Sequence, residues 1–450
     1  MTYLNPESTN FSADIVADIY VDKTLFIEKI VKRIDEEDSS IAYILPRRFG
    51  KTSLADMLVS YLSKGADSRD LFSDKKIAQI PNWDENLNKH NVIHLNMQKI
   101  CEDMEDGKSL KKTLFNLISE DLEEGYKNKQ SAIIYIIKKM FKKTLNLNSN
   151  TSISKLLNSI YEKTKEKFIF IIDEYDVVYR EEGYKMYEEE YLEFLNSIGK
   201  DSPQFVSLVY VTGILPLKIG ISHSLLNNFH VISIIDSIDY EDFIGFTENE
   251  VKVVCDNYNN RESTQKSVDF EEVKFWYNGY LLRNKSSIYN PYAINKLLEG
   301  SMPDVSPHWS YSASVKVLQR YIVLNELFID TDIDSKSEQH RKQNINYAMR
   351  KIRSENLYED VVFMAGEIDQ GQKRPRVKAN IIGQIQSKDY FESKDEIYDI
   401  LVIFGYLAYD KETDECYIPN EDVAEGYRKI IRTDSAYDEV LKTISKKGIL

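Results

Sequence analysis

Residues 41–53 read Ile-Ala-Tyr-Ile-Leu-Pro-Arg-Arg-Phe-Gly-Lys-Thr-Ser. Ile41 to Leu45 form a short apolar run with the look of a buried strand. Residues 52–63, TSLADMLVSYLS, carry the apolar spacing of a helix. The junction is basic and ends in Gly-Lys-Thr. A phosphate-binding loop needs this context, because backbone N–H groups wrap a phosphate there and the helix N-terminus adds a partial positive charge. Gly50 permits close backbone approach and a positive φ. In that reading Lys51 reaches the β- and γ-phosphates of a nucleotide and Thr52 ligates Mg²⁺. Pro46, Arg47, Arg48, Phe49, Gly50 and Ser53 complete the loop. The general pattern G-x-x-x-x-G-K-[ST] is incomplete, since Leu45 stands where its first glycine belongs. On this stretch alone, a basic strand-to-helix turn with an exposed lysine is the rival reading.

Residues 168–176, FIFIIDEYD, change the balance. A polar-free strand suits the centre of a parallel sheet. Where such a strand accompanies a phosphate loop, its terminal Asp holds Mg²⁺ and the following Glu polarises the attacking water. Asp173 and Glu174 fit those roles. A buried acidic pair is costly unless paired or cation-bound, whereas a solvated turn would need no such partner. Both motifs in order, each ending an apolar strand, favour an ATPase. Residues 208–216, LVYVTGILP, give a further strand, whose Thr212 either senses the γ-phosphate or is an ordinary strand end before Gly213. Arg47 and Arg48 either meet phosphate or a neighbouring subunit, or form salt bridges to an acidic surface.

Around these motifs, apolar runs at Val92–Met97 and Val231–Ile235 add strands, and helical spacing recurs over 25–34, 108–146, 151–166 and 186–200. Asp22 is placed to cap the first of these helices. Strands alternating with helices over 40–236 give an α/β fold with a mostly parallel sheet. After residue 240 the pattern turns mainly helical. Thr247 and Glu250 have capping-box spacing, residues 311–328 read as a helix, and the polar stretch 333–347 reads as a loop or lid. Residues 389–405, two short strands in GYLAYDKETDECYIPN and a helix from Glu421 suggest a small winged-helix-like module.

The chain has 450 residues, 42% hydrophobic and 29% charged, with a net charge of −15. That composition supports a globular core and argues against a general nucleic-acid coat. Cys101, Cys255 and Cys416 lie far apart and form no disulfide framework, which fits a reducing cytoplasm. No apolar run reaches the roughly 18 residues of a membrane helix, and the N-terminus lacks a signal-peptide pattern. His90 and His94 lie four residues apart, but His94 falls in an apparent strand, which argues against a zinc pair. Ser222-His223-Ser224 has no nucleophile elbow around it. The aromatic group Trp276–Tyr280 reads as core before it reads as a base-stacking platform.

Together, Pro46-Arg47-Arg48-Phe49-Gly50-Lys51-Thr52 and Ile172-Asp173-Glu174-Tyr175-Asp176 resemble the prokaryotic AAA-ATPase-like family, whose loop also lacks the leading glycine. The resemblance extends to Tyr20–Thr24, Asp67–Phe72, Thr212-Gly213-Ile214, Trp276–Tyr280, Asn290-Pro291, Gly405-Tyr406-Leu407 and Tyr417–Asn420. It implies a P-loop NTPase core of the ASCE type over 1–240, a helical lid over 241–330 and a winged-helix-like region over 331–450. It also implies binding of ATP with Mg²⁺. Many members continue into a PD-(D/E)XK nuclease-like domain. Here Asp438, Glu439 and Lys442 fall on a helical pattern and no strand-borne nuclease motif is visible. The expectation is a cytoplasmic ATPase, open to assembly as a homo-oligomer and with no membrane partner, whose cycle moves its C-terminal half and acts on a protein partner, a nuclease in trans or a nucleic acid. Two alternatives stay open: a slow nucleotide-gated switch or scaffold, and an ATP-dependent nucleic-acid remodeller or nuclease-associated defence component.

Overall fold

The computed structural model describes residues 2–37, 39–105, 107–127, 131–145, 152–199, 204–218, 229–309, 357–383, 385–386 and 393–431. The readings on 311–328 and 333–347, on Ser222-His223-Ser224 and on Asp438, Glu439 and Lys442 lie outside these residues. The chain divides into two compact units. One holds Met1–Leu45 and Gly50–Ser233, the other Pro46–Phe49 and Ile234–Leu450.

The first unit is built on five parallel strands: β1 (Ser40–Ile44), β2 (Asn91–Asn96), β3 (Phe168–Asp173), β4 (Val206–Gly213) and β5 (His230–Ser233). Their order is β2-β3-β4-β1-β5. Every residue of β1, β3 and β4 is buried, as expected of strands covered on both faces. On one face Phe168, Phe170, Ile172, Val209 and Val211 join the core formed with helices Leu110–Tyr126, Ile153–Thr164 and Glu188–Gly199. On the other, Phe26 of helix Leu25–Val31 meets the rings of Tyr43 and Tyr210 at 5.4 and 6.0 Å. The α/β class and parallel sheet are therefore as the sequence implies, and β4 lies between the strands that carry the two main motifs.

Asp22 does not cap helix Leu25–Val31. The N-cap is Thr24, without a side-chain cap bond. Asp22 lies two residues earlier, where its Oδ1 accepts the Thr24 amide and hydroxyl at 2.8 and 2.6 Å, and its Oδ2 accepts the Lys76 amide at 2.8 Å. The carboxylate closes a local turn and so cannot also reach the helix.

In the second unit, β6 (Phe246–Thr247), β7 (Asn278–Leu281) and β8 (Ser287–Tyr289) form an antiparallel sheet in the order β6-β8-β7. Thr247 and Glu250 make the full capping box on helix Glu248–Asn259. Helix Lys394–Ile403 leads into β10 (Ala408–Asp410) and β11 (Glu415–Tyr417), and residues 421–431 are helical. A third strand, β9 (Arg376–Lys378), pairs with β11. It lies in the basic run Lys-Arg-Pro-Arg-Val-Lys, too short and polar to read as a strand.

Candidate nucleotide-binding site

In the first unit, the register of the sheet brings three strand ends level. Asp173 pairs with Asn96 across β2 and β3, and Thr212 pairs with Tyr43 across β4 and β1. The Asp173 carboxylate is almost fully buried and gathers three donors. Thr212 Oγ1 donates to Oδ1, while Thr52 Oγ1 and Asn96 Nδ2 donate to Oδ2 at 2.9 and 3.2 Å. Burial pushes this carboxyl above its ordinary value, against the pull of the Thr212 and Thr52 hydroxyls.

The donor Thr52 is fixed by the helix that the loop opens. Helix Lys51–Leu62 begins at Gly50, with φ 82° and no side-chain cap. Several helices of the same unit are capped by side chains, among them those starting after Asn96, Ser109 and Ser152. The first amides of Lys51–Leu62 are thus left without that service, which is the condition for an anion at a helix start. Lys51 is buried and its Nζ donates to the Leu45 carbonyl at 3.1 Å. Burial pushes its ammonium below the usual lysine range, opposed by Glu174, Asp176 and Asp173. Thr52 and Ser53 face solvent, and Ser53 hydrogen-bonds the Asp14 carboxyl. A lysine, an uncapped helix start, a hydroxyl and a buried carboxylate make a donor set that fits a nucleotide phosphate and a hard divalent cation.

Glu174, at φ 53°, leaves the strand in the left-handed region. Its Oε2 accepts Arg180 Nη1 at 2.9 Å, and the same nitrogen lies 3.3 Å from Asp176 Oδ2. Burial opposes the charge on Arg180, but Asp176 and Glu174 hold it above its ordinary value. Asp176 is fully buried and accepts the amides of Ile214 and Leu215 at 3.1 and 2.9 Å. It thereby ties the turn after β3 to the turn after β4. Gly213 has to be small here, since a Cβ would sit 2.5 Å from the Tyr175 ring and 2.6 Å from Asp176 Oδ1.

Among the residues read from the sequence, Lys51, Thr52, Asp173 and Thr212 come together, with Glu174 beside them and held by Arg180. Asn96, Asp176 and Arg180 were missed. Asp176 and Arg180 have i,i+4 spacing, a signal that was there to use. Asn96 offered none beyond being polar at a strand end.

Pro46, Arg47, Arg48 and Phe49 belong to the second unit. Pro46 and Phe49 are buried, and Phe49 meets the Tyr280 ring edge-on at 5.1 Å. Arg48 is exposed, at φ 70°, with its guanidinium 4.3 Å above the Tyr292 ring. Among the described residues its contact is this cation–π one, and it makes no ion pair there. The aromatic group reads as core: Tyr277 and Tyr280 are buried, with their hydroxyls on the Ser306 and Gly405 carbonyls at 2.8 Å each. The three cysteines are free and buried.

No curated protein matches this sequence. The ORC2 protein of Aeropyrum pernix, solved as ADPNP-ADP complexes, is similar in structure with a TM-score of 0.36 and 10% identity, covering 94% of this chain and 98% of that one. Among the described residues no helix is long and apolar enough to cross a membrane. Across residues 11–221, which span β1 to β4 and contain Lys51, Thr52, Asp173, Glu174 and Thr212, the chain is similar to the AAA-ATPase-like family, whose model is described as Predicted AAA-ATPase.

Proposed function

We propose that this chain binds ATP with Mg²⁺ and hydrolyses it to ADP and phosphate. One observation carries the reading: a single buried carboxylate, Asp173, holds both the loop-helix hydroxyl of Thr52 and the β4 hydroxyl of Thr212. Lys51 neutralises the β- and γ-phosphates, and the amides at the start of its helix hold the β-phosphate. Thr52 and Asp173 would hold Mg²⁺, which when bound offsets the negative charge on the phosphate oxygens. Glu174 orients water and accepts its proton. Thr212 and Asn96 keep the Asp173 carboxylate in place. The division into a core over 1–240, a lid over 241–330 and a winged-helix-like region over 331–450 belongs to this proposal. So does action on a partner protein, a nuclease in trans or a nucleic acid.

A second reading, the slow switch, is favoured by the Arg180–Glu174 ion pair. To orient a water, this carboxylate would first have to leave the guanidinium that it accepts at 2.9 Å. Single-turnover hydrolysis with and without DNA, RNA or a lysate fraction tests both. Turnover within seconds supports the motor-like ATPase, and ATP retained for many minutes supports the switch. Absence of ATP binding by the wild type, or equal binding by Lys51→Ala, sinks both.

A further inference from the structure

The four loop residues Pro46 to Phe49 contain no glycine, yet Arg48 adopts φ 70°. A non-glycine residue stays in that region only when its surroundings hold it there. Within the second unit those surroundings converge on one atom, the Arg47 carbonyl oxygen. It accepts Trp309 Nε1 at 3.0 Å and Asn290 Nδ2 at 3.4 Å. Both donors are buried, and both are fixed from behind. Asn290 Oδ1 caps helix Pro291–Leu297 by accepting the Tyr292 and Ala293 amides at 3.0 and 3.3 Å, so the cap decides which way its NH₂ faces. The Trp309 amide donates to Asp422 Oδ2 at 2.9 Å, and its ring lies 5.2 Å from that of Tyr406. Pro46 packs so closely on Gly405 that a Cβ there would lie 2.8 Å from it.

The Arg47–Arg48 peptide is trans. Pinning its carbonyl oxygen therefore turns the Arg48 N–H to the opposite side. We infer that Trp309 and Asn290 are positioning residues of the phosphate loop, whose two hydrogen bonds to the Arg47 carbonyl set the direction of the loop amides that receive a nucleoside triphosphate. Leu45 replaces the first glycine of the general pattern, and packing within the second unit shapes residues 46–49 instead. This rests on the phosphate-loop reading of residues 45–53.

The test uses the full chain and two variants. Asn290→Asp keeps the capping oxygen but sets a carboxylate oxygen, in place of a donor, against the Arg47 carbonyl. Trp309→Phe keeps a ring and removes the N–H. Three quantities are measured: affinity for a fluorescent ATP analogue, hydrogen–deuterium exchange of the segment 47–50 without nucleotide, and the melting temperature. The expected result for Asn290→Asp is an affinity loss of roughly tenfold, and for Trp309→Phe roughly fivefold. Both should exchange faster at 47–50, with melting temperatures within a few degrees of wild type. A merely structural role would lower the melting temperature without selective loss of nucleotide. Affinity within twofold of wild type in both variants, while Lys51→Ala loses binding, overturns the inference and spares the phosphate-loop reading. If Lys51→Ala binds as well as wild type, the phosphate-loop reading falls, and the inference with it.

Discussion

The two halves of the loop are shaped by opposite means. Gly50 to Ser53 take their form locally: a glycine at φ 82° starts a helix, and the helix presents Lys51 and Thr52. Pro46 to Phe49 are held by side chains more than two hundred residues away in sequence, chiefly Asn290 and Trp309. Local shaping leaves its mark in consecutive letters, and remote packing does not. The chemistry therefore concentrates where the sequence is most readable, and the geometry that supports it is distributed.

The largest expected effects lie in the locally shaped half and the strand ends opposite it. Glu174→Gln should retain ATP and lose about 10²–10⁴-fold in hydrolysis, because the amide keeps the shape but cannot accept a proton. Lys51→Ala should lose tight ATP binding altogether. Radiolabelled ATP retention and phosphate release separate the two outcomes. Unchanged turnover in Glu174→Gln would move the base elsewhere, with Asp176 and Arg180 then purely structural.

Next in size is a pair of glycines with the same backbone angle. Gly50 and Gly405 both have φ 82°, but a Cβ at Gly50 would meet nothing within 4 Å, whereas at Gly405 it would meet Pro46. Gly50→Ala should cost only the left-handed strain, about 1–2 kcal/mol. Gly405→Ala adds overpacking to the same strain and should cost about 2–4 kcal/mol in total. Urea midpoints for the two variants give the comparison directly. Equal losses would mean that Pro46 yields readily, and that the packing around it does little to shape the loop.

These contrasts explain what was legible. The parallel sheet could be read because β1, β3 and β4 are buried along their whole length and so appear as unbroken apolar runs. Lys51, Thr52, Asp173 and Thr212 could be read because each ends or follows such a run. Arg180 could have been found from its spacing to Asp176. Asn96 meets Asp173 only through strand pairing, and Trp309 meets Arg47 only through tertiary folding, so neither has a sequence signature. Asp22 was misread because an Asp just before a helix suits both a cap and a local turn, and the Thr24 amide decided for the turn.

The smallest effect concerns pH, and each unit supplies one probe. Burial raises Asp56 of helix Lys51–Leu62 in the first unit and Asp399 of helix Lys394–Ile403 in the second, each from 3.8 to about 6. Asp56 accepts the Asn10 amide at 3.1 Å, while Asp399 accepts the backbone amides of Ile382 and Gly383 at 3.0 and 2.7 Å. A carboxyl raised in the folded state holds its proton where the unfolded chain has released it. Its contribution to stability is thus fully present below 3.8 and is lost as pH climbs through about 6. Between pH 5 and pH 7.5 each group should remove about 1 kcal/mol. Asp56→Asn keeps an acceptor for Asn10 and cannot ionise, so its unfolding free energy should fall by about 1 kcal/mol less than wild type over that interval. Asp399→Asn should flatten the slope equally. It should also lower stability at both pH values, because Ile382 and Gly383 bond to different carboxylate oxygens and the amide would set an NH₂ donor against one of those N–H groups. Urea titrations of the three proteins at the two pH values settle it. A wild-type slope left intact by both substitutions would show that neither carboxyl carries a displaced proton, and that the two units bury their acids only after ionising them.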